Sequence, residues 1–245
     1  MSTNTYLTNT TNNIRLESES EQNEEQFIIS IDGNIGSGKS TMVYILKEMF
    51  KNNESICFLQ EPVDSWNNIR DENNVTILER FYDNQKEFAF SFQMMAYISR
   101  LSILKKAIKN KKYKYIVTER CLFTDANIFA KMLYDDGKIS LIEYSIYKTW
   151  FNEFIDELPK HKYMYIKTSP LLAFERVLSR NREGETIPLE YLEKCHRYHE
   201  SWLCNNHNIN ESNIMIIDGS VDINENPEVI CEWYSMIKKF IHTTN

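Results

Sequence analysis

Residues Gly33 to Ser40 read Gly-Asn-Ile-Gly-Ser-Gly-Lys-Ser, which has the spacing G-x-x-x-x-G-K-[ST]. Backbone N–H groups in such a loop close around phosphate oxygens, and a Cβ at the glycine positions would block that approach. Three of the chain's six glycines stand in this one stretch. The apolar run Phe27 to Ile31 precedes it and reads as a buried strand. Met42, Val43, Ile45, Leu46, Met49 and Phe50 follow at helical spacing. In this strand–loop–helix setting the loop assigns Gly33, Asn34, Ile35, Gly36, Ser37, Gly38, Lys39, Ser40 and Thr41 to the phosphates of ATP. Lys39 reaches the β/γ-phosphates, and the Ser40 hydroxyl is placed to ligate Mg²⁺. A plain glycine-rich turn leaves Lys39 without a role.

The 245 residues suffice for one α/β domain with a large core. No apolar run approaches the roughly 20 residues that a membrane helix needs, so no membrane partner is expected. A net charge of −7 argues against a nucleic-acid polymer as partner. It suits a small nucleotide and its metal, held in one local basic pocket. The five cysteines are scattered, without a Cys-x-x-Cys pair, and read as free thiols in a reducing compartment. His196 and His199, three apart on an expected helix, have no evident third metal ligand and read as a wet helix face. Residues 1–25 are rich in Asn, Thr, Ser, Glu and Gln and read as a disordered tail before a domain over 26–245. That tail holds a single arginine, Arg15, and several glutamates, unlike a mitochondrial transit peptide, so a cytoplasmic location is expected.

Strands are expected at Phe27–Ile31, Ile56–Leu59, Tyr115–Thr118, Tyr163–Ile166 and Asn213–Ile217. Helices are expected after the loop, over 76–109, 122–134 and 139–158, from Ser169-Pro170 to about Ser179, from Pro188 to about Cys204, and from Pro227 onward. All five prolines then stand at element edges. The alternation predicts a five-stranded parallel sheet covered by helices on both faces. Ligands in such folds collect at the carboxyl ends of strands. Here those ends hold Asp32, Gln60-Glu61, Glu119-Arg120, Thr168-Ser169 and Asp218-Gly219.

Phosphoryl transfer needs a carboxylate at the nucleophile, cations on the phosphates and Mg²⁺. Glu61 ends the strand next in sequence to the loop strand, which places it one strand over, as general base for an acceptor hydroxyl. Glu119 is the candidate Mg²⁺ partner, through water. Arg120 is a cation for the acceptor oxygen, a structural partner of Glu61, or both. Arg180 and Arg182 flank a polar break between two helices, where a mobile lid would close guanidinium groups on the phosphates.

In order along the chain, IDGNIGSGKST, EPVDSW, Tyr82 followed by SFQ, TER, the TSP strand–helix junction, RNREGE and IPLEYLEKCHRYHESWL resemble the deoxynucleoside kinase family, from about residue 28 to 240. The resemblance implies a P-loop kinase fold with a lid. It implies a homodimer that moves the ATP γ-phosphate to a deoxynucleoside 5′-hydroxyl, with Mg²⁺, in nucleotide salvage. By position, Glu61 matches the base and Arg120 the arginine that holds it and the 5′ oxygen. Tyr82 matches the tyrosine on the sugar 3′-hydroxyl, and Gln93 the glutamine on the base edge. Trp66, Phe92 and Phe129 match the aromatic walls; Ile35, Val63 and Leu78 match apolar neighbours. Arg100 and Asp125 match a pair found in the deoxycytidine and deoxyguanosine kinases, where the thymidine-accepting branch is apolar. A thymine carbonyl offers Asp125 no donor, which is costly in a buried site. Ala96 is small, as in deoxycytidine kinase, while IFAKMLYDDG is closer to the deoxyguanosine branch, so deoxyguanosine and deoxyadenosine are favoured over deoxycytidine.

The chain departs from the family pattern at Cys121, where serine is usual, and at Ala126, where arginine is usual. The lid segment is one residue shorter, leaving Glu183 or Glu185 for the 3′-hydroxyl. The donor-base loop near Asp222 carries Ile223 where an aromatic is common. The competing reading within kinases is a nucleoside monophosphate kinase of thymidylate kinase type, which needs cations for the acceptor's phosphate. A GTPase-type switch would need N-K-x-D, and Asn110-Lys111-Lys112-Tyr113 lacks the acid.

Overall fold

The structure is a computed structural model and describes residues 25–182, 185–223 and 225–242. In chain order it runs β1 (Phe27–Gly33), α1 (Lys39–Met49), β2 (Ile56–Leu59), α2 (Val63–Asn67), α3 (Ile77–Asp83), α4 (Gln85–Lys109) and β3 (Tyr115–Glu119). It continues with α5 (Leu122–Thr124), a π-helical turn (Asp125–Ala130), α6 (Lys131–Asp135), α7 (Leu141–Ile155), β4 (Lys160–Lys167), α8 (Pro170–Arg180) and α9 (Leu189–His199). A second π-helical turn (Glu200–Cys204), a 3₁₀ turn (Glu211–Asn213), β5 (Ile214–Asp218) and α10 (Val229–His242) complete it. The tail expected over 1–25 lies outside the described residues except for Glu25, which pairs with Lys160 at 2.8 Å.

The five strands form one parallel sheet in the order β2-β3-β1-β4-β5. Every residue of β1 is buried, as expected of a central strand covered on both sides. Alternation along β1 sends Ile29 and Ile31 toward α1 and α10, where Val43, Leu46, Ile237 and Ile241 close one core. Ile28 points the other way, with Ile116, into a second core built with Tyr97, Leu101 and Leu104 of α4 and Tyr147 and Phe151 of α7. Helices therefore cover both faces, as the alternating pattern predicts.

Three expectations are corrected. β3 pairs with both β1 and β2, so Glu61, after β2, lies two strands from the phosphate loop rather than one. Consecutive strands are usually neighbours but need not be, and here β3 fills the gap and sets Glu119-Arg120 between the loop and Glu61. The helix expected over 76–109 is broken at Asn84 (φ −139°, ψ 80°), which ends α3 and starts α4. Asp and Asn are poor interior helix residues because their side chains compete for backbone partners. The break lets Phe81 of α3 fold back to stack on Phe92 of α4 at 4.5 Å. The short α2 was not expected; Pro62 stands at its start. Elsewhere the boundaries agree closely. Ser169 Oγ accepts from the Leu172 N–H at 3.3 Å, with Pro170 opening α8. The cysteines are free, as expected of scattered thiols. A further expectation fails at His199, which does not lie on a wet helix face: it is buried, has Nδ1 2.7 Å from the Cys195 carbonyl oxygen, and stacks on Tyr165 at 5.8 Å.

Candidate active site

The carboxyl ends of β1, β2 and β3 open into a cavity of about 610 Å³. The phosphate loop forms one wall. Gly36 has φ +80°, and a Cβ there would stand 2.3 Å from the Ala173 carbonyl oxygen. Gly38 (φ +96°) starts α1 in the left-handed region. Asn34 braces the loop: its Nδ2 donates to the Leu192 carbonyl at 2.8 Å while its Oδ1 accepts from the Ile35 N–H at 2.9 Å. Lys39 Nζ donates to the Asn34 carbonyl at 2.6 Å, and burial, with Arg120 nearby, lowers its pKa to about 7. A phosphate anion restores a strong reason for Lys39 to stay charged. Gly36→Ala is expected to weaken ATP binding roughly 10- to 100-fold, since a strained, clashing loop costs about 1–3 kcal/mol. Calorimetric titration with ATP reads this directly, and an unchanged affinity would show that the loop tolerates the side chain.

Beneath the loop, Ser40 Oγ donates to Glu119 Oε1 at 2.7 Å. A hydroxyl and a carboxylate brought together here fit Mg²⁺, which takes few protein oxygens and completes its shell with phosphates and water. Among the described residues no group of three or more His, Cys, Asp or Glu could hold a metal ion alone.

The opposite wall carries the acceptor-side residues. Arg120 sits at φ +58°, where β3 ends, and its N–H donates to the Ile31 carbonyl at 3.0 Å. That uncommon conformation for a non-glycine residue turns the side chain into the cavity. Its Nη1 donates to both oxygens of Glu61, at 2.9 and 3.0 Å. Arg100 of α4 adds a second guanidinium: Nη2 donates to Glu61 Oε1 at 2.9 Å, Nε to Asp125 Oδ2 at 2.9 Å, and Nη1 to the Glu119 carbonyl at 2.8 Å. Burial alone would raise the pKa of Glu61, but the two arginines outweigh it and hold the carboxyl down at about 2. Glu61 is therefore ionised throughout the neutral range.

Gln93 is buried, and its Oε1 has no hydrogen-bond partner among the described residues. A buried orphan acceptor on a cavity wall fits a ligand that brings an N–H. Trp66 and Phe92 meet edge to face at 5.6 Å, with the indole Nε1 donating to Ser99 Oγ at 2.9 Å. Phe129 lies under the Arg120 guanidinium at 5.1 Å. Ile35, Val63, Leu78 and Ala96 line the same space. Tyr82 is pushed well above the ordinary phenol pKa by burial and by the Glu185 charge, and both residues line the cavity.

Arg180 and Arg182 both line this cavity. Arg180 does not project freely toward the loop: Glu185 engages it, accepting at 2.6 and 3.0 Å. Glu183, the other candidate for the sugar, lies outside the described residues. Asp222 lies apart, on a second cavity beyond the loop. Cys121 caps α5, where its N–H donates to Thr124 Oγ1 at 3.1 Å, and Ala126 is buried in the core beside α4. Sequence reasoning missed Arg176, Tyr191 and Phe81, which also line the main cavity, and the contact of Arg100 with Glu61. The one available signal was Arg176, one helical turn before Arg180.

A glycine-rich cradle at the start of a helix, a hydroxyl–carboxylate pair beneath it and a second carboxylate held by two arginines across the same cavity fit a P-loop phosphotransferase. Comparison with known proteins narrows the class. The deoxynucleoside kinase family model matches residues 29–242. Human deoxycytidine kinase is 32% identical over 242 residues, covering 88% of this chain and 91% of that protein. The probable deoxycytidine kinase of Fowlpox virus (strain NVSL) is 34% identical over 221 residues, covering 86% and 88%. The mitochondrial deoxyguanosine kinase of Xenopus laevis is 28% identical over 238 residues, covering 87% and 89%. The chain belongs to the deoxynucleoside kinase family and is an ATP-dependent kinase.

Proposed function

We propose that the protein transfers the ATP γ-phosphate to the 5′-hydroxyl of a deoxynucleoside in nucleotide salvage, with deoxyguanosine and deoxyadenosine first among acceptors and deoxycytidine next. One observation carries the reading: the phosphate loop and Glu61 line the same chamber, and the buried, unpartnered Gln93 Oε1 lies on its acceptor wall. The nucleoside lies with its base between Trp66, Phe92 and Phe129, its edge on Gln93 and Asp125, and its sugar on Tyr82 and Glu185. Glu61 accepts the hydrogen bond of the 5′-hydroxyl and aims its oxygen at the γ-phosphate. A carboxyl with so low a pKa is a weak base, so orientation is its larger contribution; the proton moves late, in keeping with a loose phosphoryl-transfer transition state. Arg120 steadies both Glu61 and the 5′ oxygen. Lys39, Arg180 and Arg182 meet the phosphates, which requires Arg180 to exchange Glu185 for an anion. Ser40, and Glu119 through water, would hold Mg²⁺, which when bound would neutralise phosphate charge.

The cations on the acceptor wall, Arg100 and Arg120, are both bonded to Glu61, which leaves an acceptor phosphate poorly served and disfavours a thymidylate kinase type of reaction. A coupled assay with ATP, Mg²⁺, deoxyguanosine, deoxyadenosine, deoxycytidine, thymidine and thymidine monophosphate tests the reading. Turnover of an amine-bearing deoxynucleoside supports it, and turnover of the monophosphate alone overturns it.

The same reading makes the protein a homodimer in the cytoplasm. Ile142, Ile146 and Trp150 recur one turn apart on α7 and are 74%, 41% and 49% exposed, beside Leu141 at 65%. An apolar stripe of this kind fits a contact with a second copy. Ile142→Asp with Trp150→Glu is expected to halve the mass seen in sedimentation; a variant that still sediments as a dimer removes α7 from the interface. Among the described residues no helix is long and apolar enough to cross a membrane.

A further inference from the structure

A second cavity of about 320 Å³ opens beyond the phosphate loop. Gly38, Thr41 and Arg176 line both cavities. A nucleoside triphosphate held by the loop thus has its ends in different chambers, the transferable phosphate facing Glu61 and the base in the second cavity. Phosphate and ribose are common to all such donors, so this second chamber must read the base.

Its walls mix aliphatic side chains, Met42 and Ile45 from α1 with Val221 and Ile223 from the turn after β5, with the charged Arg176 and Asp222. Trp233, from the first turns of α10, is the one aromatic among its described lining residues. The indole is half-buried and packs against the core under α1 and α10 while also lining the chamber. Backing of this kind holds a large flat ring in one orientation at little further entropic cost. In sequence, Trp233 sits at helical spacing with Ile230, Ile237 and Ile241 and reads as core. Only the fold brings α10 alongside α1 and reveals the second role.

We propose that Trp233 is the stacking platform for the donor base and that it favours purine over pyrimidine triphosphates, whose smaller rings cover less of the indole. The inference rests on the loop being the donor site. Aromatic stacking on a base is sequence-tolerant in kind but grows with ring size, and its removal costs a sizeable fraction of base affinity.

The test is calorimetric titration of the full chain with ATP, UTP and inorganic tripolyphosphate, each with Mg²⁺, for wild type, Trp233→Leu and Trp233→Phe. Expected results are a roughly 5- to 100-fold loss of ATP affinity in Trp233→Leu, unchanged tripolyphosphate binding, a collapsed ATP-over-UTP preference, and rescue by Trp233→Phe. Equal losses for ATP and tripolyphosphate, or an unchanged ATP-over-UTP ratio, overturn the proposal. Failure of wild type to bind ATP overturns the donor-site reading itself, a distinguishable outcome. If Trp233→Leu does not fold, a chain with Trp66, Trp150 and Trp202 changed to Phe keeps Trp233 as its sole tryptophan. Its emission is expected to be quenched by ATP and left unaltered by tripolyphosphate; emission that ATP leaves unchanged overturns the proposal.

Discussion

Glu61→Gln is expected to lower kcat by roughly 10²–10⁴-fold while ATP still binds, the range typical of removing a positioned acid–base group. The amide keeps the shape of the side chain but replaces one acceptor oxygen with a donor. It also strips the charge on which Arg120 and Arg100 converge at 2.9 Å. Arg120 then loses the anion it bonds and Arg100 keeps only Asp125 as an anionic partner, and one NH₂ group points at cations that offer only donors. Thermal melting run beside the kinetics separates chemistry from folding. Catalysis lost with a near-native melting temperature and native ATP affinity identifies Glu61 as the acceptor-side group. Unchanged turnover removes it from the mechanism.

Arg100→Met combined with Asp125→Ala is expected to move preference from amine-bearing bases toward thymidine. The change removes the carboxylate that a thymine carbonyl cannot satisfy and opens apolar room beside Ala96. The double change should destabilise less than the two single changes added together. Arg100→Met strands the carboxylate of Asp125, which is 2% exposed, and breaking one side of a buried pair costs about 3–5 kcal/mol. In a domain of this size that is roughly 2–4 °C of melting temperature per kcal/mol. The double variant removes both charges and should recover much of the loss, a positive coupling that a double-mutant cycle measures. A specificity profile that stays put would make the pair structural only. The contact of Arg100 with Glu61 adds a kinetic signature, since both Arg100→Met and the double variant remove one of the cations that depress the Glu61 carboxyl.

Much of this site was legible before any fold was known, and particular residues show why. The phosphate loop is read locally: Gly36 and Gly38 need positive φ, and Lys39 and Ser40 follow at fixed offsets. The Arg120–Glu61 pairing was anticipated because strand ends in an alternating α/β chain gather on one edge of the sheet, whereas Ser40 and Glu119 were each expected at Mg²⁺ and their direct hydrogen bond was not foreseen. Arg100 with Asp125 came from resemblance, and their 2.9 Å contact agrees. Asn34, expected only at the phosphates, turned out to brace the loop against Leu192 as well. Its side-chain partner lies 158 residues away, beyond any local pattern.

By itself, the sequence determined all five strands, most of the helices and their ends, and the backbone freedom the glycine-rich loop needs. Period, proline placement and glycine backbone freedom are properties of a few neighbouring residues. Tertiary structure alone decided that β3 enters between β1 and β2, that Asn84 breaks the long helix, that Arg100 spans Glu61 and Asp125, and that Trp233 faces a cavity instead of lying wholly in the core. Each of these depends on which distant segments share a face, and that follows from burying the whole apolar surface at once, an energy that no local window contains.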